Sequence, residues 1–116
     1  MKRSSSKGSR KIRDAQTHCR YCGEPFGNKL RTFDHFYPLD AGDSLNRSWN
    51  KFTVCYPCNK DKDNKMPKDF IVHLLNKIKH NKDINTKYFT RASKIIANML
   101  IIEERIWPLF ELKDIL

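Results

Sequence analysis

The 116-residue sequence has no apolar run long enough to cross a bilayer, which takes about 20 residues, so no transmembrane helix is expected. The first residues, MKRSSSKGSRKIR, are basic and serine-rich and do not lead into the apolar segment of a secretory signal. We therefore expect an intracellular protein that has no membrane partner. In a reducing compartment, the four cysteines are more often metal ligands than disulfides.

Acidic residues are absent from residues 1–13, where six lysines and arginines occur. The whole chain carries 23 basic and 13 acidic residues, a formal charge of +10, which favours a polyanion such as nucleic acid as the partner. We predict that residues 1–14 form a flexible basic arm. Its Arg10, Lys11 and Arg13 are the side chains that we expect to contact phosphates.

Glycine and cysteine are absent from residues 67–116, which predicts a region of helices. Apolar residues recur there at helical spacing in two stretches, one opening at Pro67 and one following Asn85. The second stretch should end at Trp107–Pro108, because the residue before a proline disfavours the helical conformation. We expect these helices to extend the same domain, and their apolar surface could serve a homodimer or a larger complex.

All four cysteines lie in two C-x-x-C pairs, which are separated by residues 23–54 and contained in the segment 15–66. Each pair can place two thiolates on one ion, and two pairs complete a tetrahedral shell, so a structural Zn²⁺ is predicted. Redox pairs or disulfides fit this arrangement less well. His18 could replace one cysteine, although an ordinary neighbour is the simpler interpretation. The predicted ligands are Cys19, Cys22, Cys55 and Cys58.

The segment between the two pairs contains TFDHFYPLD, which sets Asp34 beside His35. We predict a hairpin of TFDHFYPL and WNKFTV joined by the turn DAGDSLN, followed by a short helix that NKDKDNK opens. Neighbouring side chains of a strand point to opposite faces. Asp34 could therefore bind a hard cation together with Asn59, while His35 acts as a base. Lys60 and Lys62 would face an incoming phosphate.

The order of these residues resembles the HNH endonucleases. The pattern covers residues 19–62 and runs C-x-x-C, Asp34-His35-x-x-Pro38, Gly42, Asn50 and Cys55-x-x-Cys58-Asn59-x-x-Lys62. The resemblance implies an α+β chain, with a small zinc-stapled ββα-metal core (the HNH or His-Me finger) over residues 15–66 and C-terminal α-helices after it. At the final position of the motif Asn59 stands in place of a histidine, which gives the H-N-N form that the family also uses.

The resemblance also implies roles for these residues. Asp34 would bind the catalytic divalent ion, with Asn59 as its second ligand, and His35 would activate water. Asn50 would steady the hairpin through backbone hydrogen bonds. The implied function is a metal-dependent endonuclease that hydrolyses phosphodiester bonds of double-stranded or structured DNA, for which a bacterial or phage setting is suitable. An amide oxygen at Asn59 favours Mg²⁺ or Mn²⁺ over softer ions. Asp63 could assist, although a solvated acid is the simpler interpretation.

Two other functions fit part of the pattern. A non-catalytic, zinc-stabilised module could bind nucleic acid through the basic charge, but it gives no reason for Asp34, His35 and Asn59 to occur together. A subunit of a larger DNA-processing complex would use the C-terminal helices for docking. Plasmid cleavage with a divalent ion separates the first alternative from the enzyme, and copurification tests the second.

Overall fold

The computed structural model describes residues 7–81 and 85–115, with side chains described from residue 11 onward. This part of the chain contains a two-stranded antiparallel sheet and four α-helices. In chain order the elements are α1 Lys7–Ala15, β1 Arg31–His35, β2 Lys51–Cys55, α2 Tyr56–Lys62, α3 Pro67–His80 and α4 Thr86–Glu111. The predicted fold class, a ββα core followed by C-terminal helices, is confirmed.

Residues 7–15 form a helix, where the charge pattern predicted a flexible arm. Lysine and arginine are good helix formers, so a basic run can be helical once it has a surface to pack on. The strand β1 provides that surface, since Arg13 Cζ lies 5.5 Å from the centroid of the Phe33 ring. The remainder of the predicted arm, residues 1–6, and the side chain of Arg10 lie outside the described residues.

The sheet is a hairpin whose register ends with His35 opposite Lys51. Both strands are shorter than predicted, since β1 ends at His35 and β2 begins at Lys51. Strand pairing stops there because the Tyr37 N–H bonds to the side chain of Asn50 at 2.8 Å. Pro38, the next residue, has no N–H to contribute to a ladder.

The loop between the strands, residues 36–50, is longer than the predicted turn. Gly42 takes φ 151°, a backbone angle that residues with a side chain rarely adopt. Leu45 is fully buried and anchors the loop in the core. Three 3₁₀ turns make up most of the loop, at Leu39–Ala41, Asp43–Leu45 and Ser48–Asn50.

The helix α2 starts at Tyr56, directly after β2, and so begins earlier than predicted. Pro57 lies in its first turn, where the missing N–H costs nothing because that group has no partner within the helix. The helix ends at Lys62, and Asp63 follows with φ 54°. The second cysteine pair therefore spans the junction of β2 and α2, with Cys55 at the end of the strand and Cys58 in the helix.

The C-terminal half is helical, as predicted. The helix α3 has Pro67 in its first turn, and α4 follows Asn85, whose side chain accepts a hydrogen bond from Tyr88 N at 2.8 Å. Such a cap satisfies an N–H that the helix itself leaves without a partner. Over the described residues, none of the helices is long and apolar enough to cross a membrane.

The predicted end of α4 at Trp107–Pro108 is wrong, because the helix continues through the proline to Glu111. A proline inside a helix removes one backbone hydrogen bond, so the last turn needs support from outside the helix. Tyr37 gives this support, since its ring centroid lies 4.2 Å from that of Phe110 in the last turn. Tertiary packing here outweighs the local signal.

One buried cluster joins the segments 15–66 and 67–116. Its members come from the cysteine pairs, the hairpin, the loop that follows β1, and the inner faces of α3 and α4. They are Cys19, Tyr21, Cys22, Phe26, Phe36, Tyr37, Leu45, Val54, Cys55, Cys58, Phe70, Leu74, Ala92, Ile95, Met99, Ile102 and Ile106.

Candidate metal centre and active site

The four cysteines converge on one point in the interior. Their Sγ atoms all lie within 4.8 Å of one another, and all four residues are buried. Four thiolates that surround a Zn²⁺ ion at about 2.3 Å need this kind of proximity. An all-sulfur donor set also suits zinc or a similarly soft ion. The cluster that could hold a metal therefore consists of the predicted residues, Cys19, Cys22, Cys55 and Cys58.

A tight turn and two backbone N–H groups support the cysteine cluster. Gly23 takes φ 76° and its N–H bonds to the Cys19 carbonyl at 2.9 Å, which folds the first pair into a tight turn. The N–H groups of Cys22 and Cys55 lie 3.5 and 3.3 Å from Cys19 Sγ. Hydrogen bonds from the thiols of Cys22, Cys55 and Cys58 lower the pKa of Cys19. The two backbone N–H groups near the Cys19 sulfur would stabilise its thiolate.

A cleft of about 480 Å³ lies where β1 ends and α2 passes. Asp34, His35 and Asn59 all line this cleft, so the structure brings together the three residues that sequence reasoning grouped. Asp34 is 7 % exposed and His35 is 9 % exposed. His35 is the last residue of β1. Both residues therefore line one cleft at the end of the strand, although neighbouring strand side chains point to opposite faces.

Two buried side chains contact the same carboxylate oxygen of Asp34. Oδ2 accepts a hydrogen bond from the Tyr21 hydroxyl at 2.5 Å and lies 3.0 Å from Lys62 Nζ. Burial raises the pKa of Asp34, whereas the charge of Lys62 and the hydrogen bond from Tyr21 act in the opposite direction. Two buried donors therefore orient the carboxylate.

Lys62 is fully buried, so the prediction that it contacts nucleic acid is wrong. Its ammonium lies 3.0 Å from Asp34 Oδ2 and donates to the His35 carbonyl at 3.0 Å. The physical reason is helical spacing: Lys62 follows Cys58 by four residues and shares its inward face of α2. Burial lowers the pKa of Lys62, and the charge of Asp34 opposes that shift.

His35 is oriented by Asn46, a residue of the loop. The Oδ1 atom of Asn46 lies 3.2 Å from His35 Nε2. When Nε2 carries the ring hydrogen, it can donate to this amide oxygen, which only accepts hydrogen bonds. In that tautomer Nδ1 is the atom that can take a proton.

Asn59 ties α2 to β1 with both of its amide hydrogens. Nδ2 donates to Thr32 Oγ1 at 2.9 Å and to the Phe33 carbonyl at 3.1 Å. These bonds fix the plane of the amide, which leaves Oδ1 as the atom suited to a hard cation. Asn59 lies inside α2, whose N-cap is Cys55.

Asn50 steadies the loop between the strands and does not line the cleft. Its side chain is completely buried. Oδ1 accepts from Tyr37 N at 2.8 Å, while Nδ2 donates to the carbonyls of Tyr37 and Leu45 at 2.8 and 2.9 Å. These are backbone hydrogen bonds of the kind that the resemblance implies for this residue. Asn50 thus acts on the site by holding the loop.

Comparison with known proteins agrees with this geometry. The family model described as HNH endonuclease matches residues 8–75, more than half of the chain. The chain belongs to the HNH endonuclease family. The matched region contains the hairpin, α2, the four cysteines and the residues of the cleft. No curated protein and no solved structure matches this HNH endonuclease family member.

The remaining predicted residues of this HNH chain occupy varied places. Lys60 is exposed and lines the cleft, as does Asp63. Lys11 is exposed on α1, and Arg13 is half-buried there. His18 is exposed and lies outside the sulfur cluster.

Three side chains that support the cleft residues or the cysteine cluster of this HNH chain were not predicted from the sequence. Tyr21 occupies an x position of the first C-x-x-C pair, a location that was itself a signal. Asn46 lies in the loop, where no spacing points to it. Arg91 lies on α4 and donates from Nη2 to Cys58 Sγ at 3.0 Å. Nothing in the order of the motif indicates a partner so far along the chain.

Proposed function

We propose that this HNH family member is a metal-dependent endonuclease that hydrolyses phosphodiester bonds of double-stranded or structured DNA. The observation that carries the proposal is that Asp34, His35 and Asn59, from β1 and α2, line one cleft of about 480 Å³. Two oxygen donors and an imidazole offer a cation site and a base, which metal-assisted phosphodiester hydrolysis requires. Membership of the family supports the same reaction.

Asp34 and Asn59 would hold the divalent ion, which we propose to be Mg²⁺ or Mn²⁺. Their donors are a carboxylate oxygen and an amide oxygen, which hard cations prefer. Both side chains are already oriented, because Asp34 Oδ2 and Asn59 Nδ2 each make two contacts with neighbouring groups. The bound ion would offset negative charge on the phosphate and stabilise the leaving oxygen.

His35 would be the general base. With Nε2 donating to Asn46 Oδ1, the neutral ring accepts a proton from water at Nδ1. The backbone of His35 is held at the same time, because its carbonyl accepts from Lys62 Nζ. A base that is fixed by its other nitrogen and by its backbone keeps one tautomer and one orientation.

We propose that the four-cysteine cluster holds a structural Zn²⁺. Four protein ligands leave no open position for a substrate, so this ion would serve the fold. It would tie together the two ends of the segment 23–54, which carries Asp34 and His35. A reacting constellation needs rigid support of this kind.

DNA would be bound mainly through its phosphates. The chain has a formal charge of +10, and Lys60 is exposed at the cleft. Lys11 and Arg13 on α1 would add contacts, together with Arg10, whose side chain lies outside the described residues. Contacts of this type position the duplex without reading its sequence. Docking of the C-terminal helices on a second copy or on a larger complex stays a prediction.

Plasmid nicking tests the proposed function. Zinc-loaded protein should nick supercoiled plasmid when Mg²⁺ or Mn²⁺ is added and should not do so when both are withheld. His35→Ala should fold, keep its zinc and cleave roughly 10²-fold more slowly, since a positioned base contributes about that factor. The matched control is His80→Ala, an exposed histidine at the end of α3, which should cleave at the parental rate.

Two results would count against this function. Cleavage by His35→Ala at the parental rate would remove His35 from the mechanism. DNA binding by the parent without cleavage in either ion would favour the non-catalytic zinc module instead.

A further inference from the structure

Asp34 receives both of its buried hydrogen-bond donors on the same oxygen. The Tyr21 hydroxyl donates to Oδ2 at 2.5 Å, and Lys62 Nζ lies 3.0 Å from that atom. Tyr21 and Lys62 are both 0 % exposed, so water does not replace either donor unless the core opens. Together the two donors fix the plane of the carboxylate.

A divalent ion at this cleft needs a carboxylate oxygen presented in one orientation. Because Oδ2 is held by two donors, Oδ1 is the oxygen left to meet the cation. We propose that Tyr21 is a positioning residue for the metal site: its hydroxyl, together with Lys62, holds Asp34 so that Oδ1 serves as the ligand. This inference rests on the proposed function, in which Asp34 binds the divalent ion. Tyr21 acts through Asp34 and is not itself a ligand.

Tyr21 is held in place from several sides. It lies within the pair Cys19-Arg-Tyr-Cys22, so the cysteine cluster constrains its backbone before and after it. From α4, Asn98 Nδ2 donates to the Tyr21 carbonyl at 2.6 Å. The Tyr21 ring meets Phe36 edge-on, with the centroids 6.3 Å apart. The cysteine cluster and α4 therefore both hold Tyr21, whose hydroxyl bonds to Asp34 at the cleft.

Lys62 contributes charge as well as position. Its ammonium is the counter-ion of Asp34 and also donates to the His35 carbonyl. Removing it would change the electrostatic attraction for a cation along with the geometry. The Tyr21 hydroxyl is neutral, so Tyr21→Phe removes one orienting hydrogen bond without removing a charge. This substitution therefore isolates the effect of position.

The affinity of the full-length, zinc-loaded protein for Mn²⁺ is the primary measurement, with free Mn²⁺ followed by electron paramagnetic resonance. Asp34→Ala defines the site, because it should lose the binding that the parent shows. Tyr21→Phe should bind Mn²⁺ about 10-fold more weakly, the lower end of what the loss of a hydrogen bond to a metal ligand costs. The matched control is Tyr37→Phe, which removes another buried hydroxyl, one that contacts Glu103 at 3.5 Å. Its affinity should equal that of the parent.

The metal dependence of cleavage gives a second readout. For Tyr21→Phe, the Mn²⁺ concentration at half-maximal rate should rise by the same factor as the dissociation constant. The rate at saturating Mn²⁺ should stay near the parental value, because His35 is untouched. A purely structural Tyr21 would lower thermal stability or zinc content and leave the Mn²⁺ affinity of the folded protein unchanged. That result would overturn the inference.

The variants separate a failure of this inference from a failure of the proposed function. If Asp34→Ala binds Mn²⁺ as tightly as the parent, the ion site at Asp34 is wrong and the inference falls with it. If Asp34→Ala loses the ion while Tyr21→Phe keeps parental affinity, only the positioning role is wrong. If Tyr21→Phe fails to retain zinc, Asn98→Ala is tested in its place. Asn98→Ala removes the hydrogen bond to the Tyr21 carbonyl and leaves the Tyr21 hydroxyl intact. Weaker Mn²⁺ binding is expected there, and parental affinity would again overturn the inference.

Discussion

Arg91 of α4 donates from Nη2 to the Sγ atom of Cys58 at 3.0 Å, and its Nη1 lies 3.5 Å from Asp61 Oδ2. A guanidinium beside a cysteine sulfur favours the thiolate, which is the form that binds a metal. The C-terminal extension thus contacts the metal-binding cluster directly, in addition to covering the core.

We expect Arg91→Gln to weaken zinc binding about 10-fold, because a hydrogen bond to a metal-ligating atom is lost together with a neighbouring positive charge. Transfer of zinc to a chromophoric chelator measures this effect. Arg105→Gln is the matched control, since Arg105 is an exposed arginine of the same helix. Equal zinc retention in both variants would show that Arg91 has no role at the cluster.

Substitution of Cys55 or Cys58 by serine should remove zinc and unfold much of the chain. Serine has nearly the same size as cysteine but offers no thiolate, and a small metallodomain derives much of its stability from its ion. Elemental analysis and circular dichroism on the same sample check both effects. Soluble, folded parent protein that contains no zinc would end the structural-zinc proposal.

Asn50→Ala should lower the free energy of unfolding by roughly 3 kcal/mol or more, because three buried backbone groups lose their partners. Denaturant unfolding of the zinc-loaded protein gives the value. Asn76→Ala, at an exposed position of α3, should change stability little. If Asn50→Ala is as stable as Asn76→Ala, the loop does not depend on the Asn50 side chain.

Cleavage should increase with pH over the range in which the His35 ring loses its proton, and then level off. The sign follows from the mechanism, because only the neutral ring of His35 can accept a proton from water. Initial rates at saturating Mn²⁺ and constant ionic strength measure the profile. A rate that is flat or falls over this range would contradict the role of His35 as the base.

Lys60→Ala should weaken DNA binding and reduce the slope of log affinity against log salt concentration by about one, the change expected when one phosphate contact is lost. Lys79→Ala is the control, because Lys79 is exposed on α3 and does not line the cleft. Fluorescence anisotropy with a labelled duplex at several salt concentrations gives both slopes. An unchanged slope for Lys60→Ala would exclude Lys60 as a phosphate contact.

The sequence by itself determined the family, the fold class and the four cysteines of the cluster. These features depend on short spacings in the sequence, such as C-x-x-C and Asp34-His35. A single local turn or strand is enough to place such residues. Asn59 follows Cys58 directly, so the second cysteine pair also fixes its position on α2. Local geometry needs little knowledge of the rest of the molecule, which is why the order of these residues was informative.

Only the tertiary structure decided which side chains support those residues. It buries Lys62 against Asp34, although the sequence suggested a surface lysine, and it sets the Tyr21 hydroxyl on the same oxygen. It also carries α4 through Pro108, because Phe110 packs on Tyr37 from a distant part of the chain. Contacts of this kind depend on how separate surfaces fit together. Packing and burial therefore outweigh local propensity, and a short sequence pattern does not predict them.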